Sequence, residues 1–411
     1  MKHTICLMSN WYPTAENPYR GVFFKEQAFA VSERFDFVVV RYTEIYGFGP
    51  WNRMRVRRMG EERNTVEYEA IVKVPFVLAA WDEIYSLYVK FSGKKRVDGV
   101  GKYVCRGRRH FTERMVSKLF GQHIHEKIDA MYCVDGQLEA FQTRCAAKTL
   151  GVPYVVGEHA PVPWPGTGIS DINQEAFGKA NLFLAISQDK IRQCMLQNIR
   201  LPKTVYIGNL IDETRMTVSP GPRRGAKTLL IVAAHSFYKN YDMFVAVMNR
   251  LTELTSAPFH VLIAGYAANK GYSKGTEAFE TQIHESAFAD RAELIREVPH
   301  SEIASVYHRA DALVMTSIQE GQPVSVMEAA CCGLPVFSTR CGGVEDYVDD
   351  AIGRVYAVND VEGMARDLKA FVEGELRFDA AAIRERVVSR FGVAAFTQTF
   401  CEAFEEVIDR A

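Results

Sequence analysis

DALVMTSIQEGQPVSVMEAACCGLPVFSTRCGGVEDYV, residues 311–348, contains a predicted strand, a tight turn, a helix and a second strand in direct succession. The first strand is DALVMTS (311–317), and PVFST (335–339) is the next. Between them, the pattern predicts a helix over 323–332, because proline suits a first helical position and Gly333 suits the end. Such a unit is typical of open parallel sheets, which bind ligands beyond the carboxyl ends of their strands.

The start of this helix is a candidate anion site. The first N–H groups of a helix have no partner within it, and the helix dipole favours negative charge there. Val324 and Ser325 supply the expected donors, whereas Pro323 has no N–H. The sequence therefore predicts that a phosphate group binds at this point.

Two carboxylates flank the same helix start. Glu320 lies in the turn before the helix, where it could accept hydrogen bonds from sugar hydroxyls. Glu328 lies about one and a half turns into the helix, from where it could accept from a ribose diol. Gly321 permits the tight turn, and Gly342–Gly343 form a later turn that lets the backbone approach closely. The unit thus offers phosphate, ribose and sugar contacts together.

Strand and helix patterns alternate along the rest of the chain, which indicates an α/β fold with two Rossmann-like domains and parallel sheets. A Pro- and Gly-rich break at SPGPRRGAK (219–227) separates two such series. We expect an N-terminal domain over 1–215, a linker over 216–227 and a C-terminal domain over 228–390. The predicted strands are 3–9, 36–42, 128–134, 153–158, 181–187 and 204–208 before the break, and 228–234, 259–265, 292–298, 311–317 and 335–339 after it.

Length and composition limit the class of protein. A chain of 411 residues exceeds the usual size of one core, and its 48% hydrophobic and 24% charged content is that of a globular protein. The formal net charge of −1 argues against nucleic acid as the partner. Nine cysteines without a C-x-x-C pair argue against a disulfide framework or a zinc site. We expect neither a signal peptide nor a membrane-spanning helix.

Residues 41–118 differ from this average, since they hold 17 Lys and Arg against 9 Asp and Glu. Their basic clusters are RMRVRR (53–58), KKR (94–96) and RGRRH (106–110), and aromatic residues interleave with them. The spacing in VLAAWDEIYSLYVKF (77–91) predicts an amphipathic helix. Two interpretations stay open: a solvated basic face, or docking of 51–118 to anionic lipid headgroups or a phosphorylated acceptor.

The pattern EGQPVSVMEAACCGLPV followed by a Gly-Gly turn resembles the donor-site signature of retaining glycosyltransferases of family 4, which have the GT-B fold. The Glu-x7-Glu mark of that family is met by Glu320 and Glu328. The resemblance extends to NPYRGVFFKEQA (17–28), to GVPYVVGEHA (151–160) and to VPHSEIASVYHRAD (298–311). It implies that the final helix, 391–411, completes the N-terminal domain and that a cleft separates the two sheets.

The resemblance also implies which residues bind the donor. Lys239 matches the lysine of the diphosphate clamp, whereas His235 or Ser236 stands where the family commonly has arginine. The implied catalytic residues are His159, Glu320 and Lys239. The implied donor-binding residues are Gly21, His235, Lys239, Val298, Gly321, Gln322, Pro323, Val324, Ser325 and Glu328. For His159, a purely structural role remains the alternative. The chain has no Asp-x-Asp motif, so neither a divalent metal nor a cofactor is implied.

The function implied is sugar transfer, with retention, from a nucleotide-diphosphate sugar to a hydroxyl of a glycan or lipid-linked acceptor. Polysaccharide or glycoconjugate biosynthesis by a cytoplasmic enzyme, peripheral on the cytoplasmic face of the membrane, is the expected setting. Two alternatives are kept: a nucleotide-sugar epimerase or hydrolase on the same fold, and a non-catalytic partner subunit.

Overall fold

Two α/β units make up the chain in this computed structural model, which describes residues 2–15, 17, 20–47, 54–91, 106–134, 138–159, 171–219, 225–267 and 275–411. Contacts between Cα atoms assign Met1–Gly208 and Phe396–Ala411 to the first unit, and Asn209–Ala395 to the second. Each unit contains a sheet whose strands alternate with helices along the chain. The predicted α/β class with two parallel-sheet domains is therefore confirmed.

An eight-stranded sheet of order β3-β4-β2-β1-β5-β6-β7-β8 forms the first unit. Its buried strands are rich in β-branched residues, as in the run Val38–Val40, which suits a sheet covered on both faces. The strands are β1 (His3–Met8), β2 (Phe35–Gly47), β3 (Met54–Glu62), β4 (Thr65–Pro75), β5 (Ala130–Cys133), β6 (Tyr154–Glu158), β7 (Leu182–Ala185) and β8 (Thr204–Tyr206). All neighbours are parallel except β3 and β4, which pair antiparallel at the edge. This hairpin departs from the predicted all-parallel arrangement.

Helices cover the sheet of the first unit and supply the other half of its core. Phe111, Met115 and Leu119, from one face of the third helix, are buried in the same cluster as Val38 and Val40 of β2. The helices are α1 (Val22–Ala30), α2 (Phe76–Phe91), α3 (Arg106–Gln122), α4 (Leu138–Leu150), α5 (Asp171–Gly178) and α6 (Gln188–Leu196). Helix α2 confirms the amphipathic helix predicted over 77–91.

The last helix, α13 (Val393–Asp409), starts in the second unit, and its residues from Phe396 onward belong to the first. Phe400 and Phe404 each lie with ring centroids 6.1 Å from Phe35, and Phe404 lies 5.4 Å from Tyr132. All four of these side chains are buried. From Phe396 onward the helix therefore packs as part of the core of the first unit, whereas 391–395, which were also predicted to complete that unit, belong to the second.

The second unit has a six-stranded parallel sheet of order β11-β10-β9-β12-β13-β14. The strands are β9 (Lys227–Val232), β10 (Phe259–Ala264), β11 (Ala292–Ile295), β12 (Ala312–Met315), β13 (Val336–Thr339) and β14 (Gly353–Tyr356). The helices are α7 (Tyr241–Leu254), α8 (Thr276–His284), α9 (Ile303–Tyr307), α10 (Val324–Cys331), α11 (Val361–Val372) and α12 (Ala380–Phe391). This sheet order places β12, which precedes the candidate site, next to the central β9.

The boundary between the units lies earlier than the sequence predicts. Residues 209–215, predicted to end the first domain, belong to the second unit. Met216 begins the predicted linker of 216–227, yet its side chain is buried and its carbonyl accepts hydrogen bonds from Arg384 and from the thiol of Cys331. These contacts fix the start of the segment to the second unit. Residues 220–224 lie outside the described residues.

Eight cysteines lie within the described residues, and all of them are free and buried. None of the helices in the described part of the chain combines the length and the apolar character that crossing a membrane requires.

Candidate functional site

Glu320 lies in the loop that leads from β12 to α10, and it pairs with Lys239. The Nζ atom of Lys239 is 2.6 Å from Oε1 of Glu320, and both side chains are largely buried, with 26% and 15% of their surface exposed. The backbone N–H of Glu320 donates to the carbonyl of Cys341 at 2.6 Å. Two of the three predicted catalytic side chains are thus in direct contact.

Lys239 is held by a short turn after β9. It ends a 3-10 helix, Phe237–Lys239, and Asn240 follows in the left-handed conformation at φ 49°. The Oγ1 atom of Thr316 lies 3.1 Å from the carbonyl oxygen of Lys239 and 3.0 Å from that of Asn240. Thr316 follows β12 directly, so the turn that carries Lys239 is tied to the loop that carries Glu320.

Helix α10 starts without a side-chain cap. Its N-cap residue is Pro323 rather than a serine, threonine or aspartate, and this residue makes no side-chain capping hydrogen bond. Val324 and Ser325, the predicted donors, are half-buried at this start. Pro323 lies one residue before the first helical position, whereas the sequence predicts it as that position. The positive end of α10 therefore lies four residues after Glu320, the partner of Lys239.

A glycine turn supports the loop before α10. Gly343 has φ +70°, and a Cβ atom added there would lie 2.5 Å from the carbonyl oxygen of Gly321 and 2.9 Å from Cα of Gln322. Only glycine fits at such a separation, because real Cβ atoms do not approach backbone this closely. The predicted close approach at Gly342–Gly343 is therefore an approach to the loop of Gly321 and Gln322.

Gln322, a predicted donor-binding residue, is buried and bonded to Asn209. The Asn209 N–H donates to Oε1 of Gln322 at 2.5 Å, and the Asn209 side-chain amide donates to the Gln322 carbonyl at 3.0 Å. The two residues lie 113 positions apart in sequence. Gln322 thus joins the segment at the start of the second unit to the loop before α10.

Glu328 is buried on the first turns of α10 and is bonded to Tyr307, which is not among the residues predicted to form the site. The Tyr307 hydroxyl donates to Oε2 of Glu328 at 2.7 Å, and it lies 3.3 Å from the Ser325 carbonyl. Burial, and then the negative charge of Glu328, raise the pKa of Tyr307 well above its usual value. The tyrosine therefore remains a hydrogen-bond donor. A tyrosine at the end of α9 gave no sequence signal, because its partner lies on another helix.

His235 has its ring among aromatic side chains. The ring centroid lies 5.3 Å from that of Tyr241 and 5.0 Å from that of Phe279. Burial lowers the pKa of His235 below its ordinary value. A neutral imidazole cannot supply the positive charge of the arginine it stands in for.

Val298 follows β11 and is half-buried.

Gly21 and His159 lie together in the first unit. Gly21 precedes α1 with φ +63°, and a Cβ atom there would lie 1.9 Å from the carbonyl oxygen of Trp11. His159 follows β6, and its ring centroid lies 4.8 Å from Phe24 and 5.6 Å from Phe23 on α1. The predicted residues therefore form two groups, one in each unit.

Proteins commonly hold a metal ion with groups of His, Cys, Asp or Glu side chains. Within the described ranges, no three His, Cys, Asp or Glu side chains are arranged to bind one. Metal-independent chemistry stays a prediction from the sequence.

A known protein family is similar to most of the second unit. Residues 212–387 match the family described as glycosyl transferases group 1. The chain is 25% identical over 241 residues to a component of the phosphatidylinositol N-acetylglucosaminyltransferase of Arabidopsis thaliana, covering 56% of this chain and 52% of that protein. It thus spans about half the length of such curated relatives.

Solved structures resemble the chain over its whole length. Sucrose-phosphate synthase from Thermosynechococcus elongatus superposes with a TM-score of 0.73 at 14% identity, covering 100% of both chains. Anabaena HepE in complex with UDP-glucose gives 0.66 at 14% identity, covering 98% of this chain and 99% of that one. These likenesses establish the GT-B fold. Residues 212–387, which match the glycosyl transferases group 1 family, lie within the second unit.

Proposed function

We propose that the protein is a retaining glycosyltransferase of family 4 that moves a hexose from a nucleotide-diphosphate sugar to a hydroxyl of a glycan or lipid-linked acceptor. The observation that carries the proposal is the Lys239–Glu320 contact of 2.6 Å beside the uncapped start of α10. The group 1 domain over 212–387 supports the reaction class. The UDP-glucose bound to Anabaena HepE supports the class of donor.

Charge on the leaving diphosphate is the main quantity that the site has to stabilise. The Lys239 ammonium and the amides of Val324 and Ser325 would donate to the phosphate oxygens as the glycosidic bond breaks. Donors that are in place before the reaction cost no reorganisation during it. This arrangement supplies positive charge without a bound metal, and transfer that persists after treatment with EDTA is the expected result.

Glu320 has two roles in this proposal. Without donor, its carboxylate neutralises Lys239, which would otherwise be a half-buried cation without a partner. When a diphosphate takes Lys239 as its partner, Glu320 becomes available to accept hydrogen bonds from sugar hydroxyls. Glu328, oriented by Tyr307, accepts from the ribose diol.

His159 is proposed to bond a hydroxyl of the transferred sugar. Its contact with Phe23 and Phe24 limits the ring to few orientations. Retention is proposed to follow from attack on the same face from which the diphosphate leaves, with a phosphate oxygen taking the acceptor proton. Exclusion of water from the donor would then limit its hydrolysis.

The experiment that tests the proposal has two arms. Pure protein is first incubated with UDP-, GDP- and ADP-sugars, and the melting temperature identifies the nucleotide that binds. The identified donor is then incubated with candidate acceptors, and the anomeric configuration of the product is read by NMR. Free sugar or an altered nucleotide sugar without acceptor would instead indicate a hydrolase or epimerase. Binding of the nucleotide sugar without turnover in the presence of any acceptor would favour a non-catalytic role in a larger complex.

A further inference from the structure

Helix α2 presents its apolar side chains to solvent. Large apolar side chains at i, i+4, i+7, i+11 and i+14 form one stripe along its length, and each is at least half exposed. They are Val77, Trp81, Ile84, Tyr88 and Phe91. Phe91 is 82% exposed, the largest value among the exposed large hydrophobic residues of the described chain. Because residues at this spacing share one helix face, the stripe is continuous over about 20 Å.

The opposite face of α2 fixes this orientation. Leu78 packs against the core of the first unit, and Asp82 is only 5% exposed. An ordinary surface helix buries its apolar stripe and exposes its polar residues. Helix α2 turns its apolar stripe outward, so this face is free for another occupant.

The neighbouring helix adds exposed basic side chains to the surroundings of the stripe, which also include the exposed Glu83 and Glu113. Helix α3 packs beside α2, and its first turns expose Arg106, His110 and Arg114. None of these three has an ion-pair partner in the part of the chain that the structure describes. Across residues 41–118, 17 basic side chains face 9 acidic ones. The apolar stripe thus lies within the most basic segment of a chain whose net charge is −1.

We propose that α2 is the surface by which this protein docks on an anionic membrane. The stripe Val77–Phe91 enters the boundary between headgroups and acyl chains, and Arg106 and Arg114 contact the anionic headgroups. An in-plane helix with aromatic residues on one face and neighbouring cations is suited to this position. Membrane docking through α2 is a function separate from the proposed sugar transfer.

Charge selects the membrane over a second copy of the chain. Two copies joined through α2 by a two-fold axis would bring the same positively charged segment together twice. Anionic lipid, in contrast, gains from each basic residue near its surface. A neutral surface would satisfy the apolar stripe but would leave the cations without a partner.

The test is flotation of the intact chain with lipid vesicles. Vesicles of phosphatidylcholine alone are compared with vesicles containing about one third phosphatidylglycerol, at about 0.1 M and about 0.5 M salt. Binding to the anionic vesicles that weakens with salt is expected. W81S/F91S should lower the partition coefficient by about tenfold for each side chain removed, and R106Q/R114Q should remove most of the preference for anionic lipid.

The matched control is M195S/L196S, which removes two large side chains that are 67% and 70% exposed on α6 of the same unit. This variant should bind vesicles as the parent does. Equal binding by the W81S/F91S variant, or no binding to anionic vesicles, would overturn the proposal. A parent dimer that W81S/F91S converts to a monomer, without vesicle binding, would assign the stripe to a second copy instead. Melting with nucleotide sugars is a separate measurement, so the two proposals fail independently.

Discussion

The Tyr307 hydroxyl donates a hydrogen bond of 2.7 Å to Glu328, and both side chains are buried in the second unit. Tyr307→Phe removes this donor and leaves the packing of the ring intact. A hydrogen bond to a charged group contributes about 1.5–3 kcal/mol. Because Glu328 is proposed to bind ribose, we expect KM for the donor to rise by about tenfold or more while kcat changes less. Steady-state kinetics at saturating acceptor measures this split.

Tyr356→Phe is the control for that substitution. The Tyr356 hydroxyl donates to Asp367 at 2.8 Å in the same unit, remote from α10 in sequence and on other elements. Both variants should lose similar stability in a thermal melt, but only Tyr307→Phe should weaken donor binding. A shared loss of donor affinity would mean that Tyr307 acts through general stability alone.

Lys239→Ala should reduce kcat/KM for sugar transfer by about 10²–10³, the usual effect of removing one donor that stabilises a developing negative charge. It also leaves Glu320, which is 15% exposed, without its cationic partner. Glu320→Ala should likewise abolish most transfer. The double variant Lys239→Ala/Glu320→Ala tests whether the two side chains act together. Its fold reduction in kcat/KM should be smaller than the product of the two single fold reductions.

Lys369→Ala is the matched control for the lysine. It removes a Lys–Glu pair of 2.5 Å, with Glu373, from the surface of α11. Ion pairs near the surface contribute little to stability. Turnover by this variant should equal that of the parent, and a comparable fall in kcat/KM would argue against a specific role of Lys239.

Gly343→Ala should destabilise the second unit and weaken donor binding together. The added Cβ atom would lie 2.5 Å from the Gly321 carbonyl in a residue with φ +70°. Gly374→Ala is the control, since its φ is +81° and no atom lies within 4 Å of the added Cβ. Both variants place an alanine in the left-handed backbone conformation, so that destabilisation is common to them. The difference between their melting temperatures therefore measures the steric clash at Gly343 alone. We expect Gly343→Ala to cost about 1–3 kcal/mol more.

His235 should make stability depend on pH below neutrality. Burial lowers the pKa of His235 from its ordinary value of 6.5, so the unfolded chain binds a proton where the folded chain does not. Its contribution is complete above pH 6.5 and is lost as the pH falls from there toward the lowered pKa. His235→Phe keeps an aromatic ring against Tyr241 and Phe279. The melting temperature of this variant should vary less with pH between about pH 5 and 7, the range in which histidine ordinarily titrates. Parallel curves for parent and variant would contradict this.

Most of the fold could be predicted from the alternation of apolar runs and helical patterns. The β3–β4 hairpin was not predicted, because its strand Met54–Glu62 is exposed almost throughout and has few apolar residues to mark it. The predicted domain boundary at 215 lies seven residues after the observed one at 208. The local Pro and Gly cluster indicated a break, but the burial of Met216 against Cys331 and Arg384 is a long-range contact that no local pattern contains.

The candidate site shows the same division. Spacing along 320–328 was enough to identify the loop and helix, since both are local. The contacts of Glu328 with Tyr307 and of Gln322 with Asn209 join residues 21 and 113 positions apart, so the sequence could not supply them. The sequence indicates His235 as a residue in the place of an arginine. Its contact with Phe279 depends on the position of α8 in the fold, which no local sequence pattern contains.

The packing of α13 has a consequence for synthesis on the ribosome. Phe35 of the first unit is covered by Phe400 and Phe404, which are translated only after the entire second unit. The nascent first unit therefore carries an open apolar surface while nearly two hundred further residues emerge. This surface is therefore closed late in synthesis, which makes it a natural point of contact for chaperones during biogenesis.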